Sequence, residues 1–108
     1  MTDQRDLVRI PVDVVMSATS EGGRMTPIRS GFRPLCYFGG AETQPIGLCE
    51  LELVGVEQLE PGNSARAILK FDAMHRDLLK DLATPGVLIG LGDGPKIVGS
   101  GVVLEEPA

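Results

Sequence analysis

A chain of 108 residues, 43% hydrophobic and 23% charged, has the size and balance of one soluble globular domain. No apolar run approaches the ~20 residues of a membrane-spanning helix, and residues 1–6 lack the apolar core of a secretory signal, so a cytoplasmic protein is expected. A net charge of −5 argues against DNA or membrane surfaces gripped by bulk charge, and two cysteines with one histidine are too few for a disulfide scaffold or a metal site.

Residues 1–7 are expected to form a flexible N-terminus. From Val8 onward the chain alternates: Val8, Ile10, Val12, Val14 and Met16 fall on one side, Arg9, Pro11 and Asp13 on the other. Period two predicts a half-buried strand, and Pro11 on its outer face suggests an edge or a lightly paired position. Ser20-Glu21-Gly22-Gly23-Arg24 reads as a loop, and Pro27, Gly31 and Pro34 continue the punctuation. A second strand is predicted over 35–38, closed by Gly39-Gly40, and a third over 46–54 with Cys49, Leu51 and Leu53 facing inward. Pro61-Gly62-Asn63 is a turn signal. Ala65, Ala67, Leu69 and Phe71 then alternate with Ser64, Arg66 and Lys70 as a fourth strand. Only 74–83 looks helical. Strands over 87–91 and 97–104 flank Gly92-Asp93-Gly94-Pro95, a hairpin turn signal, and 105–108 form an acidic tail. Six short strands with Gly/Pro turns predict an all-β domain, a six-stranded antiparallel barrel, closed or nearly closed. Val12, Val14, Phe38, Leu51, Leu69, Phe71 and Val102 are its expected core.

Three local patterns resemble catalytic motifs and carry little. His75-Arg76-Asp77-Leu78 copies the start of a kinase catalytic loop, but the chain has no room for the rest of that machinery. Gly90-Leu91-Gly92-Asp93-Gly94 resembles a phosphate loop, yet Pro95 and a strand-like segment follow where a helix is required. Cys36, His75 and Asp77 could be drawn as a nucleophilic triad, but Cys36 lies in an apolar strand beside Tyr37 and Phe38, the setting of an inert core thiol. Both cysteines are expected to be reduced.

Charge is unevenly spread. Residues 22–40 hold Arg24, Arg29 and Arg33 without an acid, whereas 48–60 hold Glu50, Glu52, Glu57 and Glu60 without a base. This predicts a local positive face opposite a negative one, suited to a phosphate backbone or an acidic partner.

Glu21-Gly22-Gly23-Arg24-Met25-Thr26-Pro27-Ile28, then Ser30-Gly31-Phe32-Arg33-Pro34 and Cys36-Tyr37-Phe38, closely resemble the third, C-terminal domain of bacterial elongation factor Tu, with its G-G-R-H-T-P-F and G-Y-R-P-Q-F-Y patterns. The resemblance continues through Val56-Glu57 and Pro61-Gly62-Asn63, similar to V-E-M-V-M-P-G-D, and closes on Val98-Gly99-Ser100-Gly101-Val102-Val103, similar to V-G-A-G-V-V. It spans residues 8–104. The resemblance implies a six-stranded barrel that, in the family, holds the T-stem of aminoacyl-tRNA and packs on a GTPase domain and exchange partner. No G-x-x-x-x-G-K-[ST] loop is present, so GTP hydrolysis by this chain is not expected. The family's histidine after G-G-R is Met25 here, its glutamine after R-P is Leu35, and its R-E-G-G turn becomes Gly92-Asp93-Gly94-Pro95.

The expected function is therefore a non-enzymatic binding module without cofactors, acting in a translation-related context. Its site residues are Arg24, Arg29, Phe32, Arg33, Leu35, Tyr37, Asp93 and Gly94. Leu35 and Tyr37 alternate with Cys36 and Phe38, so both should point outward and expose an apolar strip beside the arginines. The expected partner is a protein: a translation factor, a GTPase domain or a second copy. The alternative is weak tRNA binding through Arg24, Arg29 and Arg33.

Overall fold

The alternation along the first strand is realised residue by residue. In β1 (Val8–Met16), Ile10, Val12, Val14 and Met16 are buried, while Arg9, Asp13 and Val15 face solvent. The computed structural model describes residues 7–39, 45–46 and 49–105. The expectations for residues 1–6, Gly40 and 106–108 lie outside the described residues.

Seven further strands follow: β2 (Ile28–Arg29), β3 (Leu35–Phe38), β4 (Glu50–Val54), β5 (Gln58–Leu59), β6 (Ser64–Phe71), β7 (Leu88–Asp93) and β8 (Lys96–Val103). Six make one antiparallel sheet in the order β3-β7-β8-β1-β6-β4, and β2 pairs with β5 as a two-stranded ribbon. The six are those that the sequence patterns predict. The ribbon has two residues per strand, too few for any period to register. The structure is mostly β. A short 3-10 turn (Ala73–His75) and helix α1 (Arg76–Leu82) connect β6 to β7; the Asp72 carboxylate caps the turn by accepting from the Met74 amide at 2.9 Å, and Leu79 anchors the helix to the core. The His75-Arg76-Asp77-Leu78 motif is thus a connector between strands. Among the described residues no helix is long and apolar enough to cross a membrane.

Of the two settings expected for Pro11, the structure has the lightly paired one: β1 is not an edge strand, since it pairs with β6 on one side and β8 on the other. Pro11 is tolerated because its β8 side lies beyond the start of that ladder at Val12; there its carbonyl accepts from the Leu104 amide at 2.9 Å, and no ladder bond needs the missing N–H. Val102 is not in the core. It is 37% exposed, whereas Val103 is 3% exposed. The cause is a bulge. Leu91 pairs with Gly99 but Gly92 pairs with Ile97, so Val98 is an extra residue in β8 and inverts the inward parity after it.

The remaining expected core residues, Val12, Val14, Phe38, Leu51, Leu69 and Phe71, are all buried, and the Phe38 and Phe71 rings meet at 5.7 Å and 45°. Backbone hydrogen bonds also tie the chain leading into β3 to the chain leading into β4. The Gly31 amide donates to Leu51 O (2.9 Å), Leu51 to Phe32 O (2.8 Å), Cys49 to Pro34 O (3.2 Å) and Ile46 to Cys36 O (3.2 Å). The third strand begins at Glu50 rather than Ile46, and Gly47 and Leu48 lie outside the described residues.

Candidate functional site

Two glycines set the backbone from which Arg24 projects. A 3-10 turn (Thr19–Glu21) ends in Gly22 at φ 90°, whose amide donates to Thr19 O at 3.1 Å. A side chain at φ in this region is strained. Gly23 is needed for a different reason: a Cβ there would stand 2.1 Å from the Ser17 carbonyl oxygen. Its amide donates to Ala18 O at 3.0 Å, and Lys96 Nζ donates to its carbonyl at 3.3 Å. The Thr19 hydroxyl then donates to Arg24 O at 2.6 Å, fixing the next peptide.

From that fixed backbone the Arg24 guanidinium reaches the tip of the β7–β8 hairpin. Nη1 donates to Asp93 Oδ2 at 2.5 Å, Nη2 to Thr26 Oγ1 at 3.3 Å, and Cζ lies 4.9 Å from the centroid of the Phe32 ring. Asp93 is held in place by its pairing with Lys96 across Gly94-Pro95, where Gly94 has φ 64°. A type II′ turn needs glycine at that first central position. Arg24, Phe32, Asp93 and Gly94 are therefore brought together from segments up to 70 residues apart in the numbering. Arg24 and Asp93 also line an open hollow whose wall includes Gly23, Met25 and Val98.

Leu35 and Tyr37 lie beside this cluster on the outer face of β3, half-buried, with Cys36 and Phe38 buried on the opposite face. Their partial burial comes from the neighbouring strand. Leu35 pairs with Gly92 and Tyr37 with Gly90, and a Cβ at Gly92 would stand 3.0 Å from Tyr37 Cε1 and 3.6 Å from Leu35 Cβ. A side chain at Gly92 would therefore crowd the Tyr37 ring. Leu88 (59% exposed), Ile97 and Val102 continue the apolar face on β7 and β8.

The other two arginines are placed elsewhere. Arg29 is exposed on the β2–β5 ribbon, with Nη2 3.4 Å from Gln58 Oε1. Arg33 is exposed and lines a separate hollow with Glu50, Lys70 and Asp72. The three arginines thus do not form one face, and the glutamates do not stand opposite them. Arg33 and Glu50 share a hollow, and Glu52 pairs with Lys70 at 2.8 Å. The hydrogen bond from Lys70, reinforced by its charge, holds the Glu52 carboxyl below its ordinary range.

Cys36 sits in the core of β3, whereas His75 and Asp77 lie on the β6–β7 connector; no hydrogen bond joins the three among the described residues. Gly90-Leu91-Gly92-Asp93-Gly94 is strand and turn, with no helix after it. No group of three or more His, Cys, Asp or Glu side chains among the described residues is placed to hold a metal. Sequence reasoning missed Leu88, Gly90, Gly92 and Ile97 as parts of the outer apolar face. The alternation of Leu88, Gly90 and Gly92 against Ile89 and Leu91 was the available signal. No protein-family model matches this chain.

Proposed function

We propose that this chain is a non-enzymatic, cytoplasmic binding module: a nearly closed six-stranded barrel similar to the third domain of bacterial elongation factor Tu, engaging a protein partner in a translation-related context. The barrel reading is supported by four backbone hydrogen bonds between residues 31–36, which lead into the start of β3, and Ile46, Cys49 and Leu51, which lead into the start of β4, together with the sheet order β3-β7-β8-β1-β6-β4. The observation that carries the protein partner is the outer face of β3, β7 and β8. Leu35, Tyr37, Leu88, Ile97 and Val102 lie around Gly90 and Gly92, with exposed Ser100 opposite Gly90, and the Arg24–Asp93 pair borders it. Such a face, apolar at its centre with an Arg and aromatics at its border, has the composition of a protein interface.

Arg24 favours this reading over RNA. Its charge is already matched by Asp93 at 2.5 Å and its Cζ lies over the Phe32 ring, so a phosphate would have to displace an existing ion pair. Capture from native-cell extract, with and without ribonuclease, tests the choice. The expected result is a protein retained after digestion by the unmodified chain and lost with a folded Leu35→Asp variant. Bound material that disappears on digestion, and weakens with Arg29→Ala and Arg33→Ala instead, would establish the tRNA alternative. In that case affinity falls with salt at a log–log slope of about −0.7 to −0.9 per phosphate neutralised.

A further inference from the structure

The seam between β3 and the approach to β4 holds both cysteines of the chain. The Cys49 Sγ lies 3.8 Å from the Pro34 carbonyl oxygen and the Cys36 Sγ 4.0 Å from the same atom, so two thiols converge on one acceptor. The antiparallel backbone bonds Cys49 N to Pro34 O and Ile46 N to Cys36 O hold the two segments side by side. Their surroundings differ. Both are buried, Cys36 at 0% and Cys49 at 3% exposure, but Cys49 also forms part of the wall of the hollow bordered by Arg33, Lys70, Glu50 and Asp72.

We propose that Cys49 and Cys36 are a peroxide-responsive dithiol, with Cys49 oxidised first from the hollow and Cys36 closing a disulfide across the seam. The order follows from access. Cys49 lines the hollow and Cys36 does not, so a reagent entering it reaches the Cys49 side of the pair first. Cys36 is the proton-holding member: its hydrogen bond with Cys49, then burial, push its thiol far above the ordinary range. In the first step the Cys49 thiolate attacks hydrogen peroxide. An S–O bond forms, the O–O bond breaks, and the released hydroxide takes up the thiol's proton and leaves as water. In the second step the Cys36 sulfur displaces the hydroxyl from Cys49. An S–S bond forms, the S–O bond breaks, and the hydroxyl leaves with the Cys36 proton as a second water. Two electrons pass from two thiols to one peroxide. The product is a covalent link between β3 and the chain entering β4. This inference does not depend on the identity of the binding partner.

The test treats the reduced full-length chain with hydrogen peroxide at neutral pH, under conditions that fully oxidise a free-cysteine control. The expected result is a monomer 2 Da lighter, with thiols falling from two to none in denaturant and restored by dithiothreitol. In Cys36→Ser, dimedone should label Cys49 as a sulfenic acid; in folded Cys49→Ser it should leave Cys36 unlabelled. Differential alkylation of the unmodified chain, with Cys49 reacting first, decides the order if either variant misfolds. Two free thiols after treatment, or a disulfide only between chains, would overturn the proposal. Labelling of Cys36 ahead of Cys49 would overturn the assigned order.

Discussion

Gly22 and Gly23 are adjacent, yet their replacement by alanine should differ sharply, because each is required for a separate reason. At Gly22 the φ of 90° is the whole difficulty: nothing lies within 4 Å of the added Cβ. Holding an alanine in the left-handed region costs about 1–2 kcal/mol. Gly23 lies outside the positive-φ set, but its Cβ would stand 2.1 Å from Ser17 O, 2.7 Å from Ser17 C and 2.8 Å from Ala18 O. All three are backbone atoms, so no side chain can rotate aside. Relief requires the loop to move by more than an ångström, which strains packing by about 1–3 kcal/mol. That movement also loosens the Gly23–Ala18 and Lys96–Gly23 hydrogen bonds, at about 1 kcal/mol each. The sum for Gly23→Ala is about 3–5 kcal/mol, two to three times the effect at Gly22. Urea denaturation of both variants, followed by far-ultraviolet circular dichroism, measures the difference as a shift in midpoint at constant slope. Equal losses, or a larger loss at Gly22, would refute the steric account of the loop that carries Arg24.

Phe71→Ala should destabilise by about 3–5 kcal/mol, since the ring is fully buried against Phe38; an unchanged denaturation midpoint would remove it from the core. Val103→Ala should cost about 2 kcal/mol from two buried methyl groups and the space they leave, against under 0.5 kcal/mol for Val102→Ala; the reverse order would contradict the bulge at Val98. Glu52→Gln tests the pair with Lys70. Because the Glu52 carboxyl is depressed in the folded chain, its contribution is present above the unfolded carboxylate value of about 4.3 and is lost as pH falls through the folded value. The variant should thus be less stable than the unmodified chain at pH 7, by a few tenths of a kcal/mol given the half-exposed pair, and the gap should close at low pH. A gap that persists at pH 2 would assign the effect to packing.

Alternation of side chains is a local property of the backbone, because successive Cβ atoms in a strand point to opposite faces. It was enough to locate all six strands of the main sheet, the inward set of β1, β4 and β6, and the outward direction of Leu35 and Tyr37. The turn chemistry of Gly62 and Gly94 was equally local, since glycine adopts positive φ at little cost. The tertiary structure alone decided what depends on residues distant in the chain. The Val98 bulge, which exchanges Val102 for Val103 in the core, exists only through register against β7. The interior position of β1 follows from pairing with strands more than 45 residues away, so Pro11 by itself left an edge and a lightly paired position both open. The arginines read as one basic segment, but the ends of that segment lead to different parts of the surface: Arg24 to Asp93, Arg29 to Gln58, Arg33 to the hollow beside Glu50 and Cys49. Charge proximity is set by distance in space, and the sequence encodes that distance only through the packed sheet.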